Sequence, residues 1–139
     1  MTDLPTPPAA EIDALRTVYT SLNQNDVPGL IMVLDQQIER LELFSGGVYR
    51  GVAAVAEHVS RARETWAEGR CEPVRFISAG DKIVVFVHVH VRLKHESEWR
   101  DGQLADVFTF RNGRVVEWRS YAQRQEALQW AGIESVDAA

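Results

Sequence analysis

The residues best suited to chemistry are two acids and two imidazoles set in otherwise apolar surroundings. Glu42 sits between Leu41 and Leu43. Facing an apolar interior, its carboxyl would rise in pKa toward the range in which a base can also return the proton it takes. Asp106 alternates with Phe108 and Phe110, and strand geometry puts all three on one face. A carboxyl beside two aromatic rings must be paired or neutral, and a neutral one can donate a hydrogen bond to a ligand oxygen. His88 and His90 alternate with Val84 and Phe86, and the intervening positions are all aliphatic. Such a pair can line a polar pocket, exchanging protons with nearby carboxyls. With Glu42 or Asp106 it could instead chelate a metal ion, although packing in a sheet or at an interface is equally compatible with the spacing. We expect no metal and no cofactor.

These residues need elements to position them. Residues 1–8, with Pro5, Pro7 and Pro8, lack periodicity and read as a loose arm. From Ala9, the residues Ile12, Leu15, Val18, Tyr19 and Leu22 recur at helical spacing. Asp26 can cap a second short helix with Pro28 in its first turn. A strand over 38–44 follows, then the turn Ser45-Gly46-Gly47 and a third helix with Val52, Val55, Ala56, Val59, Ala62 and Trp66 on one stripe, ended by Gly69.

After Pro73 the period becomes 2. Strands are expected over 74–78, 83–94, 103–111 and 115–121, with Asn112-Gly113 the strongest hairpin signal. A short helix over 123–130 would lie across the sheet, and 133–139 form a tail. Helices first and a meander afterwards is an α+β arrangement. The expectation is therefore one domain over 9–132.

Composition excludes several classes. The net charge is −5, and the basic residues are interleaved with acids, unlike the concentrated Lys and Arg face of a nucleic-acid binder. No apolar run approaches the roughly 20 residues that cross a bilayer. The single cysteine, Cys71, cannot form an internal disulfide, and no secretory leader is visible, so a cytoplasmic location is expected.

Several strings, in this order and spacing, resemble the SnoaL-like and ketosteroid-isomerase-like families of the nuclear transport factor 2-like superfamily. They are Leu22-Asn23-Gln24-Asn25-Asp26, Gly46-Gly47-Val48-Tyr49-Arg50-Gly51, Gly80-Asp81-Lys82-Ile83-Val84-Val85 and the run from Asp106 to Arg119. The resemblance implies a cone-shaped half-barrel, with three N-terminal helices on a strongly curved, mostly antiparallel sheet, often dimeric through that sheet. It also implies a pocket for a small, largely apolar or carbonyl-containing molecule.

Carried over from the ketosteroid isomerases without gaps, the general base falls on Glu42, the oxygen-holding acid on Asp106, and the tyrosine on Val18. Val18 has no hydroxyl, and Tyr19 is about 100° away around the helix, a departure from the steroid-isomerase pattern. The family pattern also turns Trp118 toward the pocket, together with Val116 and Ser120. His88, His90, Phe86, Phe108, Trp118 and Val18 are thus the expected ligand-binding set. Two functions follow: an isomerase-, cyclase- or hydratase-type enzyme working by carboxylate proton transfer, or a noncatalytic dimeric binding module.

Overall fold

A computed structural model describes residues 6–134. The expected tails, 1–8 and 133–139, lie largely outside these residues. Within them Pro7 is buried, and Ile133 donates its N–H to the Leu128 carbonyl at 2.8 Å.

Helix α1 (Ala9–Gln24) ends at Asn25 in the left-handed conformation, φ 54° and ψ 40°. The chain turns back there because the Asp26 N–H donates to the Ser21 carbonyl at 2.8 Å. Asp26 then caps α2 (Val27–Ile31), its carboxylate accepting from the Gly29 N–H at 3.1 Å. Strands β1 (Leu34–Glu42) and β2 (Gly47–Arg50) form a hairpin, and α3 (Val52–Glu64) follows. The meander comprises β3 (Trp66–Ala79), β4 (Lys82–Leu93), β5 (Arg100–Arg111) and β6 (Arg114–Tyr121), closed by α4 (Arg124–Trp130). Asn112 and Gly113 both have positive φ, as a two-residue hairpin turn between β5 and β6 requires.

The six strands lie in the order β2-β1-β6-β5-β4-β3, and every pairing is antiparallel except β1 with β6. The α+β class and the curved, unclosed sheet agree with the expected cone. Register shifts interrupt β1/β6, β3/β4 and β5/β6, where extra residues bend the strands and increase their twist. One shift re-aims a residue: the irregularity after Thr109 pairs Phe110 with Val115, so Val115, not Val116, joins Trp118 in the core.

The third helix stops at Glu64 rather than Gly69. Residues from Trp66 onward pair with β4 instead, Trp66 opposite Leu93 and Gly69 opposite Val91, and this long-range pairing overrides the local helical stripe.

Two cores flank the sheet. The larger lies between the inner face and α1 to α3, built on Leu15, Val18, Ile38, Val85, Phe108 and Trp118. On the outer face, α4 covers a smaller cluster of Val84, Phe86, Val107, Tyr121, Ala127 and Leu128.

Gly69 has φ +122°, and a Cβ there would collide with the carbonyl oxygen of His90 and the Cα of Val91. Gly69→Ala is expected to cost about 2 kcal/mol or more, because backbone strain adds to the clash. Gly102→Ala, which meets nothing within 4 Å, should be close to neutral. Urea unfolding of both variants checks this, and equal stabilities would contradict it.

Candidate functional site

Strand register assembles the polar interior. Glu42 on β1 stands opposite Ser120 on β6, and Ser120 stands opposite Asp106 on β5. The two carboxylates therefore share one row across three strands, with backbones about 10 Å apart, twice the inter-strand spacing. The neighbouring row aligns Arg40, Trp118 and Phe108.

Hydrogen bonds link the rows. Tyr19 on α1 donates its hydroxyl to Asp106 Oδ2 at 2.6 Å, and Ser120 Oγ bonds Asp106 Oδ1. Arg40 Nη1 donates to Ser120 Oγ at 2.8 Å, and Nη2 lies 3.5 Å from Glu42 Oε2. His58 on α3 places Nε2 3.2 Å from the same Glu42 oxygen, its ring stacked on Tyr49 with centroids 3.8 Å apart. Ser45 Oγ lies 3.1 Å from Glu42 Oε1. The Arg40 guanidinium lies over the Trp118 ring, 4.1 Å from its centroid, and Phe108 stacks behind Trp118 at 5.4 Å.

Burial is the largest influence on the titration of these groups. It pushes the Asp106 carboxyl above the usual carboxylate range, against the pull of Arg40 and of donors from Ser120, Tyr19 and Trp118. Burial, reinforced by Asp106, pushes the Tyr19 hydroxyl well above its ordinary value, so it stays protonated and able to donate. Burial lowers Arg40, while Asp106 and Glu42 oppose that shift. The Cys71 thiol is pushed up to about 12, chiefly by burial, and stays un-ionised.

Glu42, Asp106, Arg40, His58, Trp118 and Ser120 line one cavity of about 130 Å³. Its remaining wall is mostly apolar, including Leu22, Val59, Val87, Leu104 and Phe44. The expected ligand set divides. Trp118 lines the cavity, Phe108 backs it from beneath, and Val18 is sealed in the core. The ungapped count is one residue off on α1: both Val18 and Tyr19 belong to its buried stripe, and the longer Tyr19 side chain reaches Asp106.

His88, His90 and Phe86 do share a face, but it is the outer one. The aliphatic positions Val85, Val87 and Val89 point inward instead. Phe86 packs beneath α4 with the Arg124 guanidinium 4.4 Å from its ring centroid. His88 Nε2 and His90 Nδ1 both meet Asp101 Oδ1, at 2.8 and 2.9 Å, and their side chains are 41% and 48% exposed. Trp99 stacks on His90 at 4.4 Å. Among the described residues, no three His, Cys, Asp or Glu side chains are grouped to hold a metal ion.

The family model of the SnoaL-like domain matches residues 15–118. The chain belongs to the SnoaL-like family. No curated protein matches the sequence. Solved structures share the SnoaL-like architecture at low identity. A Catenulispora acidiphila protein with a ketosteroid isomerase-like fold, solved with trimethylamine, is 12% identical, with a TM-score of 0.75 over 93% of this chain and 95% of that one. A Burkholderia pseudomallei NTF2-like protein is 22% identical, with a TM-score of 0.73 over 88% and 97%. An M. tuberculosis LEH-like epoxide hydrolase is 15% identical, with a TM-score of 0.69 over 86% and 87%.

Arg40, Ser120, His58 and Tyr19 went unrecognised as site residues from the sequence alone. Arg40 had a signal, since it alternates with Ile38 and Glu42, and Ser120 alternates with Trp118. His58 stands three residues after Val55, at the edge of the apolar stripe of α3.

The raised pKa of Asp106 has a definite sign in stability. The folded state holds this proton more tightly than the unfolded chain, so the contribution is complete below the unfolded value and is lost as pH rises through the folded one. Relative to Asp106→Asn, the wild-type protein should lose stability as pH rises from about 4. Urea unfolding across that range checks this, and a pH-independent difference would contradict it.

Proposed function

We propose that this SnoaL-like protein is an enzyme that binds a small, largely apolar molecule carrying a carbonyl or epoxide oxygen and moves a proton on it. What supports the reading is that Glu42 and Asp106 line one partly apolar cavity instead of a filled interior. Glu42 acts as general base. For a β,γ-unsaturated carbonyl compound, its carboxylate takes a proton from the carbon between the carbonyl and the double bond, the freed pair is delocalised onto the oxygen as a dienolate, and the proton returns at the γ-carbon as the double bond moves into conjugation. For an epoxide, the same carboxylate would take a proton from a water whose oxygen bonds to a ring carbon, while that carbon's bond to the epoxide oxygen breaks and the oxygen takes the Asp106 proton. Asp106, whose protonated form burial favours and whose carboxyl Tyr19 and Ser120 orient, is the proton source on the oxygen side. His58 and Arg40 hold Glu42 in place.

The protein is proposed to work as a cytoplasmic homodimer joined through the outer sheet face, where Trp99 is 43% exposed beside His90. No helix among the described residues is long and apolar enough to cross a membrane. Light scattering reads the assembly: a dimer is expected, weakened by Trp99→Glu, and a monomer at every concentration would contradict it.

Glu42→Gln separates catalysis from binding alone. On a panel of small enones and epoxides, kcat should fall by about 10²–10⁴-fold, the usual contribution of a general base. Affinity for the same compounds, measured by calorimetry, should change little. Unaltered turnover in the variant would rule out Glu42 as the base, and binding without turnover by the wild type would favour a noncatalytic binding module.

A further inference from the structure

Two buried donors in the cavity lack acceptors. Trp118 is 2% exposed and Arg40 7% exposed, yet Trp118 Nε1 and Arg40 Nε have no hydrogen-bond partner among the described residues. The rest of the Arg40 guanidinium is engaged, Nη1 by Ser120 and Nη2 by Glu42. The indole N–H can only donate, and so can the guanidinium. Leaving two such groups unsatisfied beside an apolar cavity is costly, and native structures seldom do it without reason.

Asp106 is not free to receive a ligand oxygen by itself. Tyr19 occupies Oδ2 and Ser120 occupies Oδ1. The Trp118 indole N–H lies near enough to this carboxyl to help hold its pKa down as a donor, yet it falls short of hydrogen-bond geometry and is left without a full partner. The Arg40 guanidinium lies over the indole, so the two donor side chains are held together by stacking. Register adds rigidity, since Arg40 and Trp118 face each other across adjacent strands and Phe108 supports Trp118 from the next.

We propose that Trp118 Nε1 and Arg40 Nε form the subsite that holds the ligand's acceptor oxygen, a carbonyl or epoxide oxygen, with Asp106 behind it. The inference deepens the proton-transfer reading by naming the oxygen's donors, and it rests on that reading only for the choice of ligand class. The subsite accepts a neutral oxygen and rejects an ammonium group, because Arg40 already carries positive charge there. Chemistry at Glu42 then draws charge toward fixed donors that need no reorganisation.

The test uses cyclohexanone and its hydrocarbon isostere methylenecyclohexane, which match in shape but differ in the acceptor. In the ¹⁵N-labelled full chain, the Trp118 indole N–H resonance, assigned by its loss in Trp118→Phe, should move downfield with cyclohexanone and not with methylenecyclohexane. Trp118→Phe should weaken cyclohexanone binding about tenfold while leaving the isostere's binding unchanged. Equal resonance shifts with both probes, equal losses for both, or no saturable binding of cyclohexanone would overturn the assignment. Should Trp118→Phe misfold, the losses in Trp66→Phe, Trp99→Phe and Trp130→Phe assign the fourth indole resonance by elimination, and the wild-type shift still reads the test. Repeating it in Glu42→Gln separates the two readings: a shift that persists there supports the subsite whether or not Glu42 is a base, while turnover lost without any shift would support the base and sink the subsite.

Discussion

A guanidinium held away from water governs this interior. Arg40 is almost entirely buried, and a charge in that position must find compensation or be removed. Compensation here is distributed: a serine hydroxyl and a carboxylate receive its donors, an indole face lies beneath it, and a second carboxyl sits one bond further along through Ser120. Removing any one partner leaves a buried charge under-compensated, which ties β1, β5 and β6 together more tightly than their backbone pairing alone.

The parallel pairing of β1 with β6 makes that arrangement possible. The strands of the meander and the β1/β2 hairpin are joined by short connections and could form locally. The β1/β6 pairing instead joins segments some eighty residues apart, and only it brings Arg40 beside Trp118 and Glu42 beside Ser120. A one-residue slip would turn Arg40 and Glu42 outward and leave Asp106 without its distant charge partner. Burial of the polar row and register of the sheet therefore specify each other.

Alternation along β4 and β5 was legible in the residues, and the element order followed from the change of period after Pro73. Which face of β4 is enclosed was not. Period 2 sorts side chains into two sets without saying which set a helix will cover, and here both sets begin with apolar residues because α4 covers part of the outer face. His88 and His90 lie where that cover ends, so they meet solvent and Asp101 instead of the cavity. Tyr19 was misread for a related reason. A stripe about 100° wide on α1 buries two adjacent residues, and side-chain length decides which one reaches the sheet.

Structures that share this architecture at 12% to 22% identity show how little of the sequence the fold itself requires. The cone needs an apolar set on the inner strand positions, bulges to bend the strands, and a helical layer on top. None of these dictates what stands at the inward ends of β1, β5 and β6, where curvature opens a space the helices do not fill. Polar residues placed there are protected from water by the same packing that would penalise them elsewhere, and their hydrogen bonds are strong for that reason. In this chain the two adjacent rows carry two carboxyls, one guanidinium and one indole. Burial acts oppositely on their two kinds of charge, raising Asp106 and lowering Arg40. A pocket that disfavours both charged forms while holding them in one network responds readily to a ligand that brings an acceptor and no charge, because such a ligand satisfies the donors without adding another ion to desolvate.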